Sequence, residues 1–181
     1  MVRILFLAGT CALLLASCAG MRTIEGSDSW RAPQPDESDL RIAAQQGVKS
    51  VLCLRKTRGR AWAEKEEALC RELGLNFRVL NWSALNSSQD QIDELIAALA
   101  ELPPPYLLHC KHGVDRTGLA AAVFRVVALG HSKDDAGDEL SIVNGRVALF
   151  GARAMDRAWR RFQWPRLDSD TSVAQSAVKT Q

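Results

Sequence analysis

Cys110 and Arg116 stand with five residues between them in the run His109-Cys110-Lys111-His112-Gly113-Val114-Asp115-Arg116-Thr117-Gly118. That spacing suits a thiolate that attacks phosphorus while a planar guanidinium grips two oxygens of the same phosphate. A free thiol, with a reference pKa of about 8.5, is mostly neutral and unreactive at neutral pH. A helix N-terminus and a neighbouring arginine both favour its anion. Apolar Tyr106-Leu107-Leu108 precede the run and a helical pattern follows from Leu119 to Val127, so it reads as strand, tight loop and helix start. In such a loop the backbone from Lys111 through His112, Gly113, Val114 and Asp115 to Arg116 forms a nest for phosphoryl oxygens. The hydroxyl of Thr117 can hold the sulfur anionic. Gly113 and Gly118, without a Cβ, let the backbone approach the ligand and the following helix.

The rest of the chain supplies elements to hold that loop. Val48 to Leu54, Phe77 to Trp82 and Tyr106 to Cys110 are short β-branched or apolar runs. Helical stretches separate them: Ala61 to Leu73 ending at Gly74, and Gln89 to Leu102 ended by Pro103-Pro104-Pro105. After the loop come Gly118 to Leu129, Lys133 to Val143 and Ala152 to Phe162. Alternating strands and helices imply an α/β single domain, a central mostly parallel sheet flanked by helices, with the active loop at a strand's carboxyl end. The net charge of +2 gives no basic field of the kind nucleic acid needs. Arg153, Arg157 and Arg160 share a helix face that reads as solvated surface.

With His109 included, the pattern His-Cys-x-x-Gly-x-x-Arg-Thr-Gly resembles the signature of the cysteine-dependent protein tyrosine and dual-specificity phosphatases, the small exported bacterial (TpbA-like) members in particular. Trp30-Arg31-Ala32-Pro33-Gln34-Pro35 and the strand ending Val51-Leu52-Cys53-Leu54-Arg55 are similar to the opening of the same proteins. The resemblance implies a dual-specificity phosphatase-like fold over residues 30–164 and a phosphocysteine intermediate. It assigns Cys110 as nucleophile, Arg116 as phosphate clamp and Thr117 as thiolate partner. It calls for no cofactor and no metal, and the partner is a phosphorylated protein or other phosphate ester. Other readings are a phosphoinositide or inositol phosphate phosphatase of the same fold, a phosphate-binding module without turnover, and a sulfurtransferase or arsenate reductase-like enzyme.

Most relatives carry an acid on a separate loop before the cysteine, yet the corresponding Asn81-Trp82-Ser83-Ala84-Leu85-Asn86-Ser87-Ser88 has no carboxylate. Asp90 is the nearest acid, but with Ser87 three residues earlier it fits a helix cap better. Asp115, beside Arg116, is the competing proton donor; its alternative role is to bond loop amides or to pair with His112 or Lys111. His109 is expected to orient the loop. Some members of the superfamily guard the nucleophile with a disulfide to a neighbouring strand, which here would join Cys53 to Cys110.

At the N-terminus, Arg3 precedes an apolar run from Ile4 to Leu15, too short for the roughly 20 residues that span a bilayer. Leu15-Ala16-Ser17-Cys18 then matches the lipobox of bacterial lipoproteins. The match implies a signal peptide over residues 1–17, a lipid on Cys18 and an exported lipoprotein anchored in the outer membrane and facing the periplasm, its membrane contact made through the N-terminal lipid. Residues 18–29 read as a tether and residues 165–181 as a solvated, disordered tail.

Overall fold

The computed structural model describes residues 20–83, 85, 87–141 and 150–162. Within them one sheet runs in the order β1-β2-β5-β3-β4, from β1 Arg22–Thr23, β2 Trp30–Ala32, β3 Ser50–Cys53, β4 Asn76–Val79 and β5 Tyr106–His109. β1 pairs antiparallel with β2, and all other pairs are parallel. The alternation of strand and helix required this arrangement, because parallel neighbours need a crossover. The helices are α1 Glu37–Gln45, α2 Ala61–Glu72, α3 Gln89–Glu101, α4 Asp115–Val127, α5 Lys133–Gly137 and α6 Phe150–Arg161, with a 3-10 turn over Asp138–Leu140.

Side-chain alternation along the strands separates two cores. Leu52, Leu54, Leu108 and Cys110 face a cluster with Leu95 and Leu99 of α3, Leu119 to Phe124 of α4 and Met155 of α6. Val51 and Leu107 face the other way, onto Leu40 and Ala43 of α1 and Cys70 of α2. α4 has no polar face from Leu119 to Phe124, and accordingly that whole stretch is buried. Caps set the helix starts. Asp36 and Asp39 form a reciprocal capping box on α1, at 2.9 and 3.2 Å.

Several expected boundaries shift. β3 and β4 are shorter than the apolar runs that mark them, since pairing stops at Cys53 and Val79 while Leu54, Leu80 and Trp82 stay buried as loop residues. α4 begins at Asp115, three residues before the expected Gly118, so Asp115, Arg116 and Thr117 occupy its first turn. The helix expected from Lys133 tightens after Gly137 into the 3-10 turn, where a Cβ would meet the Trp159 ring at 3.3 Å; its end at Val143 lies outside the described residues. The capping box on α3 uses Ser88 with Gln91, rather than Ser87 with Asp90. On α6, Arg153, Arg157 and Arg160 are exposed, as the shared face implied.

The largest correction concerns the expected tether over residues 18–29, of which 20–29 are described. A tether should be solvated, yet Ile24 is fully buried, Met21 and Ser29 are nearly so, and β1 adds a strand to the sheet edge. The Ser29 hydroxyl accepts from the Tyr106 amide at 3.0 Å, which ties this segment to β5. The signal peptide, Cys18 and the tail over residues 165–181 lie outside the described residues.

Candidate active site

β5 ends at His109, and Cys110 begins the loop at the carboxyl end of the sheet, where open α/β sheets bind ligands. Cys110 is 2 % exposed, at the floor of the loop. Burial opposes its charge, but the Thr117 hydroxyl, the Arg116 guanidinium and the backbone N–H groups of Thr117 and His112 outweigh it, and the thiol titrates below its ordinary value. The Thr117 hydroxyl is itself buried, with no oxygen or nitrogen partner, which leaves the sulfur as the acceptor for its proton. By contrast, burial and then Glu66 push the Cys70 thiol up to about 12.

Alkylation distinguishes these thiols. Iodoacetamide at neutral pH should modify Cys110 ahead of Cys70, because the thiolate is the nucleophile. The rate at Cys110 should fall only when pH drops below its depressed pKa, and Thr117→Ala should move that inflection upward. An inflection at or above that of an ordinary thiol would contradict the arrangement.

Arg116 lies in the first turn of α4, with Nη1 donating to the carbonyls of Leu54, at 3.1 Å, and Trp82, at 3.5 Å. Those bonds fix one nitrogen and leave the Nε and Nη2 edge for a bidentate anion. Asp115 is half-buried beside it, at the start of the helix, whereas Asp90 is exposed on α3. Lys111 and His112 are exposed on the loop, and Gly113 and Val114 are half-buried.

The two glycines also make room for neighbouring protein. Gly113 has φ +71°, and a Cβ there would lie 2.5 Å from the Pro33 nitrogen and 2.7 Å from the Ala32 carbonyl carbon. A Cβ on Gly118 would lie 2.8 Å from the Glu139 carbonyl oxygen. The loop is thus pressed onto the end of β2 and the 3-10 turn.

Three supports escaped the sequence reading. Arg31, 1 % exposed, donates to the carbonyls of Gly113 at 2.9 Å and Glu139 at 3.2 Å, and pairs with the Glu139 carboxylate. Gln34 donates its backbone N–H to the Lys111 carbonyl at 3.2 Å, and its side chain bridges Arg55 and Glu66. Glu66, from α2, approaches His109 Nε2 at 2.9 Å. Burial disfavours the His109 cation, yet Cys53 and Glu66 outweigh it and push its pKa up to about 10. Arg31 and Gln34 stood in a run whose resemblance was visible without their roles, while Glu66, among Glu64 and Glu67, looks like solvated surface.

Cys53 does not reach toward Cys110. It is the cross-strand partner of His109 and shares its face with Glu66, while Cys110 packs with Leu52, Leu54 and Leu108 on the other side. All three cysteines of the described residues are free.

An α/β domain with this cysteine-arginine loop defines a cysteine-dependent phosphatase fold. A family model described as the tyrosine phosphatase family matches residues 31–161, and the chain belongs to that family. It is 32% identical over 118 residues to the dual specificity protein phosphatase TpbA of Pseudomonas aeruginosa, an alignment covering 61% of this chain and 49% of the relative. The chain thus spans about half the length of the curated relatives it matches. The crystal structure of P. aeruginosa TpbA superposes with a TM-score of 0.60 at 21% identity, over 90% of this chain and 98% of that one. The core catalytic domain of the PP-IP phosphatase SIW14 from S. cerevisiae gives 0.65 at 16% identity, over 84% and 90%. Both likenesses establish the fold.

Proposed function

We propose that the protein hydrolyses phosphate monoesters through a phosphocysteine, with protein phosphotyrosine as its main substrate. The observation that carries this reading is Cys110 at the floor of the loop, its thiol drawn below its ordinary pKa by the Thr117 hydroxyl, the Arg116 guanidinium and the backbone N–H groups of Thr117 and His112. Cys110 Sγ attacks phosphorus and the bond to the leaving oxygen breaks; Asp115 gives that oxygen its proton. Water then attacks the phosphocysteine, Asp115 takes the proton back, and inorganic phosphate leaves. Arg116 and the loop amides stabilise the charge on the transferring group at each step. Support for the substrate comes from TpbA, a structure of which holds pTyr.

Asp115 is chosen over Asp90 because it begins the helix that carries Arg116, whereas Asp90 projects from α3 into solvent. Asp115→Asn should slow a phosphotyrosine peptide, whose leaving phenol has a pKa of about 10, far more than p-nitrophenyl phosphate, whose leaving group needs no proton. Equal slowing of both would remove Asp115 from the acid role. A panel of phosphotyrosine, phosphoserine, phosphoinositide and inositol phosphate substrates tests the class. Faster turnover of an inositol phosphate than of phosphotyrosine would reassign the substrate, and phosphocysteine that forms without hydrolysis would make the protein a binding module.

The lipid on Cys18 belongs to the same proposal. It is supported by the lipobox match, and the short spacing from Cys18 to Met21 and Ile24, which pack into the domain, would hold the domain close to the bilayer. Labelled palmitate should enter the parent chain and not Cys18→Ala; equal labelling of both would end the idea.

A further inference from the structure

Behind the phosphate loop, on the face of the sheet away from Cys110, three donor side chains of different chemistry converge. Cys53 ends β3, His109 ends β5 as its cross-strand partner, and Glu66 reaches over from α2. One ligand atom from each lies within 4.8 Å of the other two. All three residues are buried: Cys53 and His109 fully, and Glu66 to 5 % exposure. Glu66 Oε1 and both ring nitrogens of His109 lack a well-directed hydrogen bond, so the 2.9 Å approach of Nε2 to Oε1 is a charge contact that leaves donor capacity unused.

We propose that Cys53, Glu66 and His109 form an inhibitory site for a thiophilic divalent cation such as Zn²⁺, separate from the nucleophile. Sulfur, imidazole nitrogen and carboxylate oxygen are the donor types of zinc sites, whereas Mg²⁺ and Ca²⁺ take oxygen alone. A thiolate, a neutral imidazole and a carboxylate together carry two negative charges, which one divalent ion cancels. The buried cluster therefore acquires no net charge when it is loaded. The protons displaced from thiol and imidazole go to solvent.

Geometry asks for small movements. Bonds of about 2.0–2.3 Å to each donor place the donors roughly 3.3–3.8 Å apart, so Nε2 and Oε1, now 2.9 Å apart, open slightly, while the sulfur already lies within 4.8 Å of both. The outer partner is already present, because Gln34 Nε2 holds the second oxygen of Glu66 at 2.8 Å. Gln34 is half-buried and is closed over by Arg55, itself stacked 3.8 Å above the Trp62 ring.

Inhibition would follow from chain continuity. An imidazole drawn onto a metal shifts the backbone at His109, and Cys110 is the next residue. The binding part of this proposal stands apart from the activity; the inhibitory part rests on the phosphatase reading above.

Co²⁺, which reports thiolate ligation by a charge-transfer band, and Zn²⁺ are the probes. In a Cys110→Ser background the full chain should bind one Co²⁺ with that band. Affinity should fall at least about tenfold in Cys53→Ser and again in Glu66→Gln, and should survive Cys70→Ser, whose thiol lies outside the cluster. Glu66→Gln preserves side-chain size, so the site is still tested if Cys53→Ser folds poorly. In chains that keep Cys110, Zn²⁺ but not Mg²⁺ should slow aryl phosphate turnover. The slowing, taken against each variant's own metal-free rate, should be relieved in Cys53→Ser. Absence of Co²⁺ binding, binding untouched by both substitutions, or undiminished inhibition of Cys53→Ser would overturn the proposal. A parent chain without any turnover would instead overturn the phosphatase reading, and the Co²⁺ titration would still decide the site.

Discussion

Exchange of Cys110 for serine is expected to lower kcat on an aryl phosphate by about four orders of magnitude or more, with little change in substrate affinity. The hydroxyl occupies nearly the same space, but nothing around it can make it an alkoxide. Thr117, Arg116 and the loop amides lower the pKa of a thiol below its ordinary value, whereas an alcohol ionises far above any pH these groups can bridge. Those same groups still bind phosphate, so the variant should retain substrate in complexes that equilibrium binding detects. Arg116→Lys separates the two roles. It keeps a positive charge near the sulfur but loses the flat, two-pronged edge, and turnover should fall by about a hundredfold or more through a poorer transition-state clamp. If Cys110→Ser turns over at the parental rate, the covalent mechanism is wrong.

The difference between what the chain declares and what it conceals follows sequence distance. Cys110 and Arg116 are legible because one loop holds both, and the loop's shape follows from local features: an apolar strand before it, glycine within it, a helical pattern after it. The parallel sheet is legible for the same reason, since each strand and crossover carries its own periodicity. The supports are not. Arg31 meets Glu139 across 108 residues, and neither carries a local mark of burial. Glu66 lies in an acidic stretch of α2, where only its position on the inward face separates it from exposed Glu64 and Glu67. Residues 21–29 have the small, polar composition of a linker, and they fold because Ile24 and the pairing of Thr23 with Trp30 anchor them to β2. Composition records none of that. The glycines stand out in the sequence, but not the protein partners that press on them, which are the end of β2 at Gly113 and the Glu139 carbonyl at Gly118.

Arg31→Met is expected to have the largest effect on stability, about 3 kcal/mol. Arg31 is a buried cation whose pKa burial presses down while Glu139 holds it up. Removing the guanidinium leaves the Glu139 carboxylate, 5 % exposed, with Arg125 Nη1 at 3.6 Å as its remaining cationic partner among the described residues. That remaining partner places the loss at the lower end of the range for breaking a buried pair. For a domain of this size the melting temperature should fall by roughly 6–12 °C. Arg31→Met combined with Glu139→Leu should recover most of the stability, because an apolar pair of similar volume avoids the stranded charge. Activity should not recover with it. Arg31 Nη2 also donates to the Gly113 carbonyl at 2.9 Å and the Val114 carbonyl at 3.5 Å, and no apolar side chain replaces those bonds. The double variant should therefore be well folded yet slow, with its defect in kcat, since a loosened loop misplaces Arg116 and the amides when charge develops on the transferring phosphate. A double variant that is both stable and fully active would show that the ion pair serves the fold alone, and a single Arg31→Met chain as stable as the parent would show that the pair serves neither.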